Sequence, residues 1–410
     1  MSNHENIIFC FTMADDVTMS NSKLIVDDCL NNFNNLSSDR PRLFFAPGRA
    51  NLLGAHMDYN GGVVMPVTLS KGTYLAMSPR SDQNICVISA QFDNQCHTFS
   101  LGELSVNREK VWASYVEAAC WVFSKRWPIS QGFNLAITSN LPIAKGLSSS
   151  ASLVCVVLYA LSQYYEVDVT TDELIHLAHQ AENEYVGVRC GVLDQTAIFL
   201  GKHDSVLVFD CQDLSRQYAP LQGDDVSIAI IDSHKPRKLA TSEFNQRVSE
   251  CTSALSKMQS EIPGLRVLRD LNKKQLEEHG SMLSDTEYRR VSHVVEETLR
   301  TKRGLLALQD DDIATFGVCM SQSHQSLKNL YEVSIPELDS IVDSAVAVDG
   351  CYGSRLTGAG FGGCVVALVH PSIKREFETE VCSQYMSNYG IKTNVDWFQP
   401  AGKPLEILLD

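Results

Sequence analysis

The most constraining stretch of the chain is Leu141-Pro142-Ile143-Ala144-Lys145-Gly146-Leu147-Ser148-Ser149-Ser150-Ala151-Ser152. It follows a strand-like run, Gly132–Thr138, and leads into an apolar run over 148–163 that reads as a helix. A helix N-terminus presents N–H groups without partners and a partial positive charge, so a loop of this kind holds phosphate well. Glycine at 146 lets the backbone come close to such an anion. The serines can cap the helix or reach a magnesium ion. One serine alone would be an ordinary cap; Gly-Leu, three serines and Ala-Ser at a strand–helix junction ask for more than capping. The segment is not a GxxxxGK[ST] loop, because no Lys-Ser/Thr pair follows the glycine.

Two further glycine clusters frame it. Ala46-Pro47-Gly48-Arg49 is followed by Asn51, Gly54, His56, Asp58, Tyr59, Asn60, Gly61 and Gly62. Near the end of the chain lies Leu356-Thr357-Gly358-Ala359-Gly360-Phe361-Gly362-Gly363-Cys364. Between the clusters, strands and helices mix without regular βαβ alternation, which points to an α+β fold. Strands are expected at Leu43–Ala46, ending at the Pro47-Gly48 break, at 63–78, 85–99, 205–210, 226–232 and 364–369. Helices are expected at 112–127 and 171–186, and through most of the chain from the boundary to 348, ahead of a Gly-rich loop. A helix and a last strand follow. Three divisions result: a polar lead-in, 1–40, with a short helix near Lys23–Asn35 and no core role; a first domain, 41–222; and a second, 223–410, divided near the acidic turn Gly223-Asp224-Asp225.

The length of 410 residues suits two domains. With 34 basic against 49 acidic residues the net charge is −15, which argues against a nucleic-acid surface. The thirteen cysteines are odd in number and irregular in spacing, and several, such as Cys120, Cys155, Cys319 and Cys364, sit among apolar residues. Buried reduced thiols fit that pattern better than disulfides. With no signal peptide and no apolar run long enough to span a membrane, a cytoplasmic protein without membrane partners is expected. It reads as a monomer, an oligomer staying open.

Together the three clusters resemble the three motifs of the GHMP kinase superfamily, and specifically its galactokinase branch. Phe45-Ala46-Pro47-Gly48-Arg49 through Gly62 looks like that branch's sugar signature, Gly146–Ser152 like its ATP loop, and Thr357–Cys364 like its third motif. Cys190-Gly191-Val192-Leu193-Asp194-Gln195 is similar to the segment carrying its catalytic aspartate, and Ser323-His324, Tyr331-Glu332-Val333-Ser334 and Pro336-Glu337-Leu338-Asp339 also have the branch's pattern. The likeness runs from about residue 43 to 370. It implies a two-lobed α+β fold, with an N-terminal lobe like ribosomal protein S5 and a ferredoxin-like C-terminal lobe. It implies a small-molecule sugar and MgATP as partners. Asp194 would be the base at the sugar's C1 hydroxyl, with Arg49 beside it supplying counter-charge. Lys145, Gly146, Leu147, Ser148, Ser149, Ser150, Ala151, Gly358 and Gly360 would surround ATP. Trp112 would lie near the adenine, with plain core packing as its alternative. Ser150, Ser149 and Glu182 would hold Mg2+ through hard oxygen donors.

One departure bears on the sugar. The branch's Gly-Glu-His-x-Asp-Tyr appears here as Gly54-Ala55-His56-Met57-Asp58-Tyr59. His56 and Asp58 would bind ring hydroxyls, but the glutamate that faces C6 in galactokinases is Ala55. A glutamate there would repel a sugar whose C6 is a carboxylate, and alanine removes the repulsion. Arg189, two residues before Gly191, could pair with such a carboxylate. Both features resemble galacturonokinases, so D-galacturonate is the favoured sugar. D-galactose is the alternative, and Ala55 could be drift. Phe244 stands where the branch usually has a tyrosine near the sugar. A catalytically inactive sugar sensor is a rival from another class, and intact Arg49, Asp194 and serine loop argue against it.

Overall fold

The structure, a computed structural model, describes residues 16–106, 112–142, 146–188, 190–222, 224–235 and 240–409. The first half supplies α1 (Asp16–Asn34), β1 (Arg42–Leu53), β2 (Val63–Pro79), β3 (Asn84–Ser89), β4 (Gln95–Ser100), α2 (Ser114–Ser124), β5 (Phe133–Ser139), α3 (Ser149–Tyr164), α4 (Thr171–Gln180), α5 (Leu193–Phe199), β6 (Ser205–Asp210) and β7 (Arg216–Pro220). The second supplies β8 (Ser227–Asp232), α6 (Ala240–Glu261), α7 (Lys273–His279), α8 (Asp285–Gln309), α9 (Ile313–Ser326), α10 (Pro336–Val346), β9 (Cys351–Thr357), β10 (Cys364–Val369), α11 (Lys374–Tyr389), β11 (Val395–Phe398) and β12 (Leu405–Ile407). Among the described residues these form two sheets. One has the order β12-β1-β2-β5-β3-β4, with β6 pairing β2 and β7; the other is β11-β8-β10-β9. All pairings are antiparallel except β3 with β5, as expected of an α+β fold.

The first sheet is covered on both faces, and the alternation in β1 explains how. Phe44 and Ala46 face a core shared with α2 and α3, while Leu43 and Phe45 face Val26, Cys29 and Phe33 of α1. Successive strand residues point to opposite faces, so a strand buried on both reads as a continuous apolar run. The helix α1 corrects the expectation of a lead-in with no core role. Val26, Cys29 and Phe33 are wholly buried, at the helical spacing of three and four that puts residues on one face. Burying Val26 and Phe33 contributes about 1.5–3 kcal/mol each. The polar residues between them mask the stripe.

Four further features differ from expectation. The strand starting at Arg42 does not stop at Pro47-Gly48 but continues to Leu53, with register shifts at Pro47/Arg49 and Asn51/Leu53. A bulge is a place where a strand tolerates proline. The 85–99 run folds as two strands, β3 and β4, turned through Ala90–Phe92. The strand β9 precedes the third glycine cluster, and the final strand β12 returns to pair with β1, so the last residues join the first sheet.

The second sheet alternates likewise. Ile228 and Ile230 of β8, with Cys364, Val366 and Leu368 of β10, share a core with Leu52, Leu53, Met65 and Val67 of the first sheet's strands. Ala229, Ile231, Val365, Ala367 and Val369 face α6, α8, α10 and α11. The two halves therefore meet across one apolar layer beneath the ends of β1 and β2. Every described cysteine is a free thiol, and Cys120, Cys155, Cys319 and Cys364 are buried.

Candidate active site

The bulge in β1 turns Arg49 toward the head of α3. Its backbone N–H donates to the Leu147 carbonyl at 3.2 Å. A side chain at 48 would meet Leu141 Cδ2 at 2.6 Å and the Leu147 carbonyl at 2.9 Å, so this approach requires Gly48. The Arg49 guanidinium, 8% exposed, donates from Nη1 to the Gly146 carbonyl at 2.8 Å. From Nε and Nη2 it donates to Asp194 Oδ1 at 2.9 and 2.5 Å. Asp194 lies in the first turn of α5. Its other oxygen, Oδ2, accepts from Ser148 Oγ at 2.6 Å. Ser148 has a left-handed backbone, φ 58°, and no side chain caps α3. The hydroxyl is given to Asp194, so the helix's first N–H groups lack a side-chain cap, as an anion site requires.

Behind this cluster lies Glu182, in a π-helical segment, Ala181–Val186, that continues α4. Burial first, and the Asp194 charge second, push its carboxyl up to about 7, against hydrogen bonds from Ser150 and Gln195. The bond from Gln195 Nε2 goes to Oε2. A buried carboxylate held against its own desolvation, beside a serine hydroxyl at an uncapped helix start, fits a divalent cation with oxygen ligands. Of the three expected metal ligands the structure brings Ser150 and Glu182 together, while Ser149 opens α3 beside them. Leu147 and Ala151 are buried supports of the turn.

The sugar signature follows β1 directly. Gly54 has φ 83°, His56 φ 57° and Gly61 φ 70°, and a Cβ on Gly54 would meet the Val63 carbonyl at 2.2 Å. His56 is buried, with its ring 5.8 Å from Phe244 and 4.8 Å from Tyr331. Its Nδ1 bonds the Tyr59 hydroxyl at 2.9 Å, and a backbone hydrogen bond at Ala359 works to raise the ring's pKa. Burial, then the neighbouring His293, Arg355 and Arg247, push His56 down to about 3, so it is neutral at pH 7. Asp58 is pushed up to about 6, first by burial and then by Asp194, with Arg49 opposing. Asp58 and Asp194 therefore share one electrostatic neighbourhood. Gly191 sits against Asp58: a Cβ there would meet Asp58 Oδ2 at 2.6 Å. Ala55 is buried, 3% exposed.

Other expected residues stand differently. Gly358 and Gly360 each have φ 80°, and their loop is fastened by Phe361 N–H to the Val333 carbonyl at 2.8 Å. That bond ties the third motif to the Tyr331–Ser334 segment. Trp112 takes no part in the hydrogen-bonded cluster around Asp194 among the described residues. It stacks on Phe92 at 5.4 Å with 5° between the planes. Lys145 and Arg189 lie outside the described residues. A groove of about 620 Å³ between α8, α9, α10 and β9 is lined by none of the expected site residues.

Reading the sequence missed the residues that carry the sugar signature from behind. Glu297 and His293 of α8, both buried, bond the backbone of Gly54 and Ala55. Tyr331, quoted only as part of a motif, bonds the Tyr59 hydroxyl at 2.7 Å and Cys251 Sγ at 3.1 Å. A signal for the first pair was available. Arg290, His293 and Glu297 recur at steps of three and four alongside Val291 and Val294, so polar groups stand on an apolar helix face.

Three family signatures match the chain: GHMP kinases N terminal domain over residues 114–202, galactokinase galactose-binding signature over 31–79, and GHMP kinases C terminal over 305–387. A galactokinase of Roseiflexus sp. (strain RS-1) is 40% identical over 340 residues, 83% of this chain and 86% of that protein. One of Clostridium acetobutylicum is 37% identical over 351 residues, 85% of this chain and 90% of the relative. The crystal structure of Lactococcus lactis galactokinase complexed with galactose superposes with a TM-score of 0.87 at 33% identity, covering 94% of this chain and 99% of that one. The Methanococcus jannaschii mevalonate kinase, at 20% identity and a TM-score of 0.63, shares the fold.

Proposed function

This chain belongs to the galactokinase family of the GHMP kinases, MgATP-dependent sugar 1-kinases, and from that premise we propose that it phosphorylates the C1 hydroxyl of D-galacturonate. In this reading Asp194 takes the C1 proton as that oxygen attacks the γ-phosphorus and ADP leaves. Arg49 supplies the counter-charge between Asp194 and the loop carbonyl at Gly146. Substrate entry exchanges the Ser148 bond to Asp194 for one from the sugar hydroxyl. Ser150, Ser149 and Glu182 hold the metal, and the amides heading α3 meet the phosphates, with Lys145 and Gly358–Gly360 completing the nucleotide site. Phosphoryl transfer depends mainly on such positioning and charge stabilisation. The division of the chain near residue 223 is part of the same reading.

The observation that carries the choice of sugar is the residue before His56. Ala55 brings no carboxylate to the signature. Arg355, wholly buried, donates to the carbonyls of Leu52 and Leu356, and together with Arg247 it depresses His56. An uncharged residue 55 removes the repulsion that a glutamate there would offer a carboxylate at C6, and Arg189 is proposed as that carboxylate's direct partner. The second reading is D-galactose, favoured by the match of residues 31–79 to the galactose-binding signature. A coupled ADP-release assay across galacturonate, galactose, glucuronate, arabinose and N-acetylgalactosamine decides between them. Galacturonate should give the highest kcat/KM. A higher value for galactose makes the protein a galactokinase in the narrow sense, and sugar binding without ADP release makes it a sensor.

A further inference from the structure

We propose that Glu297, on α8 in the second half of the chain, is a positioning residue that fixes the sugar-signature loop; this rests on the reading that Gly54–Asp58 grips the sugar. The carboxylate is wholly buried. Its Oε1 accepts from the N–H of Gly54 at 2.9 Å, the N–H of Ala55 at 3.2 Å and Ser323 Oγ at 2.8 Å. Its Oε2 accepts from Arg300 Nε at 2.7 Å. One turn earlier on the same helix His293 reaches the same residue from the other side: Nε2 donates to the Ala55 carbonyl at 3.1 Å, while Nδ1 bonds Ser326 Oγ at 2.8 Å. Both polar groups of the Ala55 backbone are therefore bound to α8.

The loop needs such a hold. Residues 54 and 56, on either side of Ala55, both have left-handed backbone, and for histidine that conformation costs free energy the surroundings must offset. The two amides turned inward would cost more still if left without an acceptor. Burial works against the Glu297 charge, but Arg300, His293 and Arg355 outweigh it and hold the carboxyl down to about 2. A full negative charge thus meets three donors at one oxygen, the stronger class of hydrogen bond. His56 and Asp58 follow directly in the chain. Release of Gly54 and Ala55 would therefore move the groups proposed to bind ring hydroxyls. Arg49, Asp194 and the 146–150 loop, which share none of these bonds, would stay in place.

The test is a steady-state comparison of the full-length protein and its Glu297→Gln variant, with sugar and ATP varied in turn. Glutamine keeps the shape but loses the charge that serves both the amides and Arg300. The sugar KM should rise about 10- to 100-fold, as expected for hydrogen bonds to a charged group. The ATP KM and kcat should change by less than about threefold, since positioning acts on the sugar alone. Ser323→Ala removes one of the three donors and should raise the sugar KM by a smaller factor with the fold intact. If Glu297→Gln yields no folded protein, the Ser323→Ala split between the two KM values decides. Lowered melting temperatures with an unchanged sugar KM would reduce Glu297 to a structural role and overturn the inference. Asp58→Asn serves as control. If it too leaves the sugar KM unchanged, the sugar reading of the loop has failed; if it raises that KM while the Glu297 and Ser323 variants do not, the inference alone has failed.

Discussion

In the proposed reading, the reacting end and the sugar end of the site are built differently. The reacting end, Arg49, Ser148, Asp194 and Glu182, comes wholly from the first half of the chain. Arg49 and Ser148 bond Asp194 directly, Glu182 stands behind them bonded to Gln195, and Asp194 keeps a side chain 27% exposed. The sugar end, Gly54 to Asp58, belongs to the first half too, but it is braced by buried groups of the second: Glu297 and His293 of α8, Tyr331, and Arg355 of β9. A centre assembled within one half keeps its geometry if the halves shift, whereas a loop clamped between them does not. Changes at the reacting end should therefore appear in kcat, and changes at the sugar end in the sugar's KM.

The largest expected effect sharpens the first half of that contrast. Asp194→Asn keeps the size of the side chain and an oxygen facing Arg49 but cannot take the C1 proton. It should lower kcat by about 10²- to 10⁴-fold, the usual worth of a general base. The sugar dissociation constant, measured by calorimetry, should stay within about threefold, because ground-state contacts survive. Normal turnover would remove Asp194 as base, and lost sugar binding would dissolve the distinction between the two ends.

The contrast also separates what could be read from sequence from what could not. Arg49, Ser148 and Asp194 stand in three short motifs, each marked by glycine or serine chemistry, and the structure joins them as a single cluster of bonds. The strands β6 and β10 and the helix α3 were equally legible, because an apolar run bounded by turn residues has few alternatives. The brace at the sugar end was not. Glu297 is 242 residues from Ala55, and nothing local states which backbone a buried carboxylate will satisfy. The strand through Pro47 was hidden for a related reason: whether proline ends a strand or sits at a bulge depends on the register of its neighbour. The helix near Lys23–Asn35 was legible, but its docking was hidden by composition, since three buried apolar residues, Val26, Cys29 and Phe33, sit among polar ones.

A second variant tests whether charge at the sugar end selects the substrate. Ala55→Glu returns a carboxylate to a buried position already close to Glu297. Two like charges within a few ångströms at the effective dielectric of a protein site repel by several kcal/mol before relaxation. The ratio of kcat/KM for galacturonate to that for galactose should fall by about tenfold or more. An equal loss on both sugars would mean that position 55 governs the loop's fold and not its selectivity.

The smallest effect concerns the reacting end and the proton on Glu182. A cation binds the carboxylate form, so metal affinity is lost as pH falls through the group's value in the free enzyme, about 7. Between pH 6.5 and 5.5 the apparent Mg2+ affinity at saturating nucleotide should drop by up to about tenfold, one proton's worth. Folding stability of the metal-free protein has the opposite dependence. A carboxyl pushed above its ordinary value of 4.5 favours the protonated native state, so stability from this group falls as pH rises from 4.5 to 7. The groups facing Glu182 are Arg49, Asp194, Ser150, Gln195, Tyr115, Cys155 and Cys190. Burial pushes Tyr115 and the two thiols up, Cys190 to about 12. The nucleotide itself takes up a proton near pH 6, so the parent's slope alone is not diagnostic. In Glu182→Gln the nucleotide's contribution remains and the enzyme's disappears. A shallower slope with weaker metal binding at pH 8 assigns the extra proton to Glu182, and identical slopes would take it out of the metal site.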